Sequence, residues 1–268
     1  MYSFESRIRY SEVDQNQELS VTGIINYLQD CSTFQSEDLN LGVTYLQEHH
    51  RAWWLSSWQI VIERYPRLGE EIIVSTWPYD FKGIYGYRNF TICDKKGNYL
   101  VKANSIWFFF DTEAGRPVRA QESDIRGYGS GEEKRLEMDY APRRIPVPEN
   151  AVKMPVITVL PHHIDTNRHV NNAQYVAIAR EALPEDIRIR EAAVEYKKAA
   201  VQGDEMIPCI SREGSDYTVS LCDREGTAYA VVWMRPKAKD HGCEGTARKR
   251  VYMIELGKFR PDSTEREG

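Results

Sequence analysis

Residues 165–176 read DTNRHVNNAQYV. Asp165, Asn167 and His169 fall within one short stretch, just ahead of an apolar run with helical spacing. A carboxylate or an imidazole can take a proton from water. An amide can donate to a polarised carbonyl or orient a neighbouring imidazole. The start of a helix adds unpaired N–H groups and the positive end of the macrodipole, which stabilise an oxyanion. Together these groups suit attack of water on an acyl carbonyl without a covalent serine: the chain has no GxSxG elbow, and this loop holds no cysteine. The same residues also suit a loop with no chemistry, since Asn and Asp are common helix caps. Spacing alone leaves both readings open.

The elements that must position this loop occur twice. YSEVDQNQELSVTGIINYLQ (10–29) parallels PHHIDTNRHVNNAQYVAIAR (161–180), so that Asp14 and Asn16 fall opposite Asp165 and Asn167. IVIERYPRLGEE (60–71) parallels AVEYKKAAVQGDE (193–205), and the tip CDKKG (93–97) parallels CDREG (222–226). Three matches in the same order point to a tandem duplication. The first copy carries extra residues at 39–54, and it has Glu18 where the second has His169. Only the second copy holds the full set of polar groups.

Each copy reads as a helix followed by strands. Ser20 caps a helix whose stripe is Ile24, Ile25, Leu28, Cys31 and Phe34. Asn171 or Asn172 caps the second, with Gln174 placed to complete a capping box on Asn171, and Pro184 limits its length. Runs 72–81, 87–94, 99–111, 217–223 and 228–236 alternate β-branched and aromatic residues between turn signals. The expected class is α+β, with one helix per copy packed on an antiparallel sheet. The division expected is 1–111, a linker at 112–155 that packs partly over a sheet, 156–236 carrying the loop, and a polar extension at 237–268 that includes a short candidate strand, RVYMIEL (250–256).

Composition narrows the partners. A net charge of −5 supplies no global basic field, which argues against nucleic acid, and local clusters such as RKR (248–250) read as solvated surface. Five cysteines without CxxC or Cys/His spacing imply reduced thiols and no metal site. The N-terminus lacks an apolar signal region, and no apolar run reaches the ~20 residues needed to span a bilayer. A soluble, cytoplasmic protein is expected.

The motif D-T-N-R-H-V-N-N-A-Q-Y resembles the active-site segment of plant and bacterial acyl-acyl carrier protein thioesterases, D-x-N-x-H-V-N-N followed by Tyr. Single hot-dog thioesterases carry D-x-x-G-H-V-N-N, with Gly where Arg168 stands here. VEYKK (194–198) is similar to the family's strand motif, and the order of elements agrees over roughly residues 4–236. The resemblance implies a tandem double hot-dog fold that releases free fatty acid from acyl carrier protein with no cofactor. Asp165, Asn167 and His169 are then the catalytic groups: His169 or Asp165 serves as base through water, and Asn167 with helix N–H groups holds the carbonyl. The partner implied is acyl carrier protein with its phosphopantetheine-linked acyl chain; the protein itself is a monomer or a homodimer.

One position departs from the family pattern. Family members commonly have Glu directly after the basic pair, whereas this chain has Ala199 and then Ala200. Either Asp165 takes over the role, or catalysis is impaired and the protein binds acyl chains without hydrolysing them. An acyl-CoA thioesterase is a further alternative. For an acyl tunnel, RAWWLSSWQ (51–59) supplies apolar surface. For a basic rim facing the acidic carrier, the candidates are Arg64, Arg67, Lys82, Arg88, Lys197 and Lys198.

Overall fold

The computed structural model describes residues 1–129 and 133–238. The first copy opens with β1 (Tyr2–Arg7), then α1 (Val21–Asp38) and a short α2 (Val43–Glu48). Four long strands follow: β2 (Arg51–Ile62), β3 (Glu71–Lys82), β4 (Tyr85–Asp94) and β5 (Tyr99–Asp111). The connection holds β6 (Arg116–Pro117), α3 (Glu122–Ile125), β7 (Val152–Lys153) and β8 (Ile157–Thr158). The second copy adds α4 (Asn172–Glu181), β9 (Ile189–Tyr196), β10 (Glu205–Glu213), β11 (Asp216–Cys222) and β12 (Ala228–Pro236). Among the described residues no helix is long and apolar enough to cross a membrane.

The strands form one antiparallel sheet in the order β1-β3-β4-β5-β2-β9-β12-β11-β10-β7. The order is mirrored about its centre, where β2 of the first copy pairs with β9 of the second from Ser57↔Glu195 to Val61↔Glu191. Duplication thus creates one continuous sheet, with each copy's innermost edge covered by the other. Ile24, Ile25, Leu28 and Cys31 of α1 and Ala173, Val176 and Ala179 of α4 are fully buried with Ile60, Val74, Ile92, Val194, Val219 and Val232 of the strands. They form one hydrophobic cluster spanning both copies. This is the tandem hot-dog architecture that the family resemblance implies, and the duplication fits it.

Ser20 caps α1 by accepting from Gly23 N at 3.0 Å, as expected. Phe34, expected on the buried stripe, is instead 43% exposed and packs edge-on against Phe4 at 5.3 Å. Asn171 caps α4 through Ala173 N at 2.9 Å, and the place of a capping box is taken by a contact from the other copy, described below. The extra residues of the first copy form α2 and the overhanging start of β2. Strands β1 and β10 escape the sequence reading. The first, YSFESR, looks like a charged terminus until it pairs with β3 from Tyr2↔Thr76 to Arg7↔Glu71. The second carries Pro208, which breaks its pattern. The candidate strand 250–256, the RKR cluster and Cys243 lie outside the described residues.

The other face of the sheet is covered by the connection, as its length implied. Gln59, buried on β2, donates to Asp139 O at 2.7 Å and to Glu191 Oε1 at 2.8 Å, and accepts from Ala141 N at 2.8 Å. Asn89 of β4 accepts from Leu136 N at 3.0 Å. Buried amides therefore tie down a segment with few apolar residues of its own. Substituting Gln59→Leu leaves two linker backbone groups unpaired, and a loss of about 2 kcal/mol is expected in urea-induced unfolding. A change under about 0.5 kcal/mol would show that the strap is held elsewhere.

Candidate active site

The loop preceding α4 is built around Asp165. Its Oδ1 accepts from Asn167 N at 2.8 Å and from His169 N at 3.4 Å, while its own N–H donates to His169 O at 2.8 Å. Arg168 adopts a left-handed backbone (φ 61°), a conformation glycine reaches at no steric cost. The first copy repeats each feature. Asp14 Oδ1 accepts from Asn16 N at 2.8 Å and Glu18 N at 3.2 Å, Asp14 N donates to Glu18 O at 2.8 Å, and Gln17 has φ 62°. The duplication thus provides an internal control: the aspartate shapes this loop in both copies, with or without a histidine. Glu18, which stands in for His169, forms an ion pair with Arg188 at 2.6 Å.

The two copies meet at the loop. Gln29 of α1 donates to the cap residue Asn171 at 3.3 Å and accepts from Asn172 Nδ2 at 3.0 Å. Tyr196 of β9 donates to Asn172 O at 2.9 Å, and Tyr175 accepts from Ala200 N at 2.9 Å. Both tyrosine hydroxyls are pushed up in pKa, chiefly by burial, so they remain protonated at neutral pH. The N-terminus of α4 is therefore fixed from both sides.

A cavity of about 690 Å³ lies between α1, α2 and the strands of the first copy, and the loop of the second copy closes one side of it. Asp165, Thr166 and Asn167 line it together with Trp53, Phe81 and Trp107. His169 does not. Its half-buried ring stands edge-on to Trp54, centroids 5.7 Å apart, and Trp54 stacks on Phe110 at 3.8 Å. Trp53 and Trp54 project to opposite faces of β2, so the sequence-predicted trio straddles the strand's start: two members on the cavity wall, one beside it. Trp54 was seen in the sequence only as tunnel material; no sequence signal marks it as the partner of His169.

Several expectations change here. The α1 wall of the cavity is polar, with Asn26, Gln29, Ser32, Thr33 and Ser36, so the lining is less apolar than an acyl tunnel suggests. Of the rim candidates, Arg88 is not on the surface at all; it is 9% exposed and lines the cavity. Arg64 pairs with Glu70 at 2.6 Å, Lys197 with Glu195 at 2.9 Å and Lys198 with Asp223 at 3.1 Å, whereas Arg67 and Lys82 are exposed. Ala199 is exposed, and the carbonyl of Ala200 accepts from Val170 N at 2.9 Å. The residue that departs from the expected pattern therefore borders the loop next to His169.

A family model for the acyl-ACP thioesterase N-terminal domain matches residues 1–128, and one for the acyl-ACP thioesterase C-terminal domain matches residues 148–230. The chain belongs to the acyl-ACP thioesterase family. The boundary between the two family domains falls in the connection that straps the sheet. Oleoyl-acyl carrier protein thioesterase 1 of Arabidopsis thaliana is 25% identical over 217 residues, which cover 74% of this chain and 60% of that protein. The dodecanoyl-[acyl-carrier-protein] hydrolase of Cinnamomum camphora is 24% identical, with 71% and 54% covered. The chain thus spans about half the length of the curated relatives it matches. Two solved structures share the fold. An acyl-ACP thioesterase from Bacteroides thetaiotaomicron superposes with a TM-score of 0.79 at 22% identity, covering 88% of this chain and 97% of that one. The 12:0-ACP thioesterase from Umbellularia californica gives 0.72 at 21% identity, with 88% and 98% covered.

Proposed function

We propose that the protein hydrolyses the thioester between an acyl chain and the phosphopantetheine arm of acyl carrier protein, releasing free fatty acid in the cytoplasm. One observation carries this reading: Asp165 and Asn167 of the second copy sit on the wall of a ligand-sized cavity lined mainly by the first. The acyl chain occupies that cavity, and the carbonyl lies at the loop. Asn167 and the α4 N-terminus hold the carbonyl oxygen as it gains negative charge. His169 takes a proton from water, whose oxygen bonds to the acyl carbon. The C–S bond then breaks, and the proton passes to the departing thiolate. Asp165 is a positioning residue, as its twin Asp14 is in the copy without histidine. No metal or cofactor enters these steps.

Ala199 supports a second reading, in which the protein binds acyl chains without turning them over. The experiment that separates the two is release of free fatty acid from acyl carrier proteins of graded chain length, run beside matched acyl-CoAs. Faster turnover of the carrier-borne chains is expected. Faster turnover of the CoA esters would make the protein an acyl-CoA thioesterase, and binding without turnover of either would favour the second reading.

A further inference from the structure

Nothing polar holds the ring of His169. Among the described residues no hydrogen bond or ion pair reaches either imidazole nitrogen. A histidine base is ordinarily oriented by a carboxylate or a carbonyl on its second ring nitrogen. Here the carboxylate four residues away, Asp165, is turned to the backbone N–H groups of Asn167 and His169 instead. An imidazole left this way has two free torsions, with three staggered wells at the first. A base that wanders among them faces the reacting water for only part of the time.

The contact that remains is aromatic and comes from the first copy. The planes of His169 and Trp54 meet at 82° with centroids 5.7 Å apart, the edge-on arrangement that ring quadrupoles favour. Trp54 is itself held from two directions. It stacks on Phe110 at 3.8 Å and meets Phe108 edge-on at 5.9 Å. In the pairing of β2 with β5, Trp54 lies opposite Phe108 and Ala52 opposite Phe110, so the three rings share one face of the sheet. Trp54 Nε1 is buried without an acceptor, so packing alone sets the place of the indole.

The duplication supplies a parallel. Glu18, which occupies the place of His169 in the first copy, is held by Arg188 of the second. In each copy the side chain at this loop position is therefore fixed by the other copy, through charge in one case and through rings in the other. On the thioesterase reading above, with His169 as base, we propose that Trp54 is the positioning residue of His169, in the part that a carboxylate plays for other catalytic histidines. Phe108 and Phe110 brace it. Trp53, its neighbour in sequence, points to the other face of β2 and lines the cavity instead.

The test is a double-mutant cycle read in kcat with a carrier-borne acyl chain. Trp54→Leu is expected to lower kcat by about 10- to 100-fold, the cost of a catalytic group misplaced by about 1 Å. KM should stay within about twofold, since the indole is off the cavity wall. Trp54→Phe keeps a ring beside the imidazole and should recover most of the loss. In the His169→Ala background Trp54→Leu should change kcat by less than about twofold, because the group it positions is gone. No loss in the wild type, or an equal loss in both backgrounds, overturns the proposal. A His169→Ala protein as fast as the wild type refutes the base, and the role of Trp54 falls with it. If no acyl carrier protein substrate turns over, the thioesterase reading fails separately, and NMR decides the role of Trp54. The ring protons of His169, assigned by their loss in His169→Ala, should be displaced by the indole ring current in the wild type and return in Trp54→Leu to the positions of a solvent-exposed histidine. Wild-type ring protons already at those positions overturn the proposal, whatever the variants do.

Discussion

Replacing His169 by Ala is expected to lower kcat by about 10²- to 10⁴-fold, the usual contribution of a positioned acid–base group. The geometry sharpens the expectation. His169 is off the cavity wall, edge-on to Trp54, whereas the chain-binding surface is made by Trp53, Phe81 and Trp107. KM for a carrier-borne chain should therefore change little, and the loss should fall on kcat. The fold should survive, because the ring is half-buried on a loop that Asp165 and the backbone hold together without it. A His169→Ala protein within about threefold of the wild type in kcat would refute its assignment as base.

The second large effect separates the two aspartates. Asp165→Ala removes the acceptor that folds the loop, and displacement of Asn167 by about 1 Å is enough to cost about 10² in turnover. Asp165→Asn should recover most of that loss, since an amide oxygen can still accept from Asn167 N and His169 N. A base could not be replaced this way. Asp14→Ala removes the equivalent acceptor from the first copy, where its loop pairs with Arg67 and Leu19 pairs with Pro66. It should lower stability by about 1 kcal/mol and leave kcat unchanged. If Asp165→Asn were as inactive as Asp165→Ala, Asp165 itself would be the proton acceptor, and the positioning role would be wrong.

How far the sequence is legible depends on whether the signal is local. The helices were legible because their apolar spacing and caps are short-range: Ser20 and Asn171 begin α1 and α4 as their side chains predict. Strands β3, β4 and β5 were legible because Gly and Asp-Lys turns bracket β-branched runs. β1 was hidden because it is a short edge strand at the chain's start with only Tyr2 and Phe4 to mark its inner face; its partner Glu71–Thr76 is far along the chain. The trio Asp165, Asn167 and His169 could be named from spacing and family resemblance, but not its division across the start of β2.

Arg88 shows the limit most clearly. A sequence lists it as one more basic residue, and a rim facing solvent is the natural place for such a charge. Its burial follows from long-range packing, because the strand phase of β4 turns it inward beneath Gln35 of α1 and Tyr128 of the connection. The amino-acid sequence by itself determined the duplication, the loop and the elements that carry it, since each is written in neighbouring residues. Tertiary structure alone decided which copy's wall meets which copy's loop, which histidine edge meets Trp54, and that a cation lies inside the cavity. Those depend on contacts between segments 50 to 150 residues apart, such as Gln35–Arg88 and Gln29–Asn172, for which no local pattern exists.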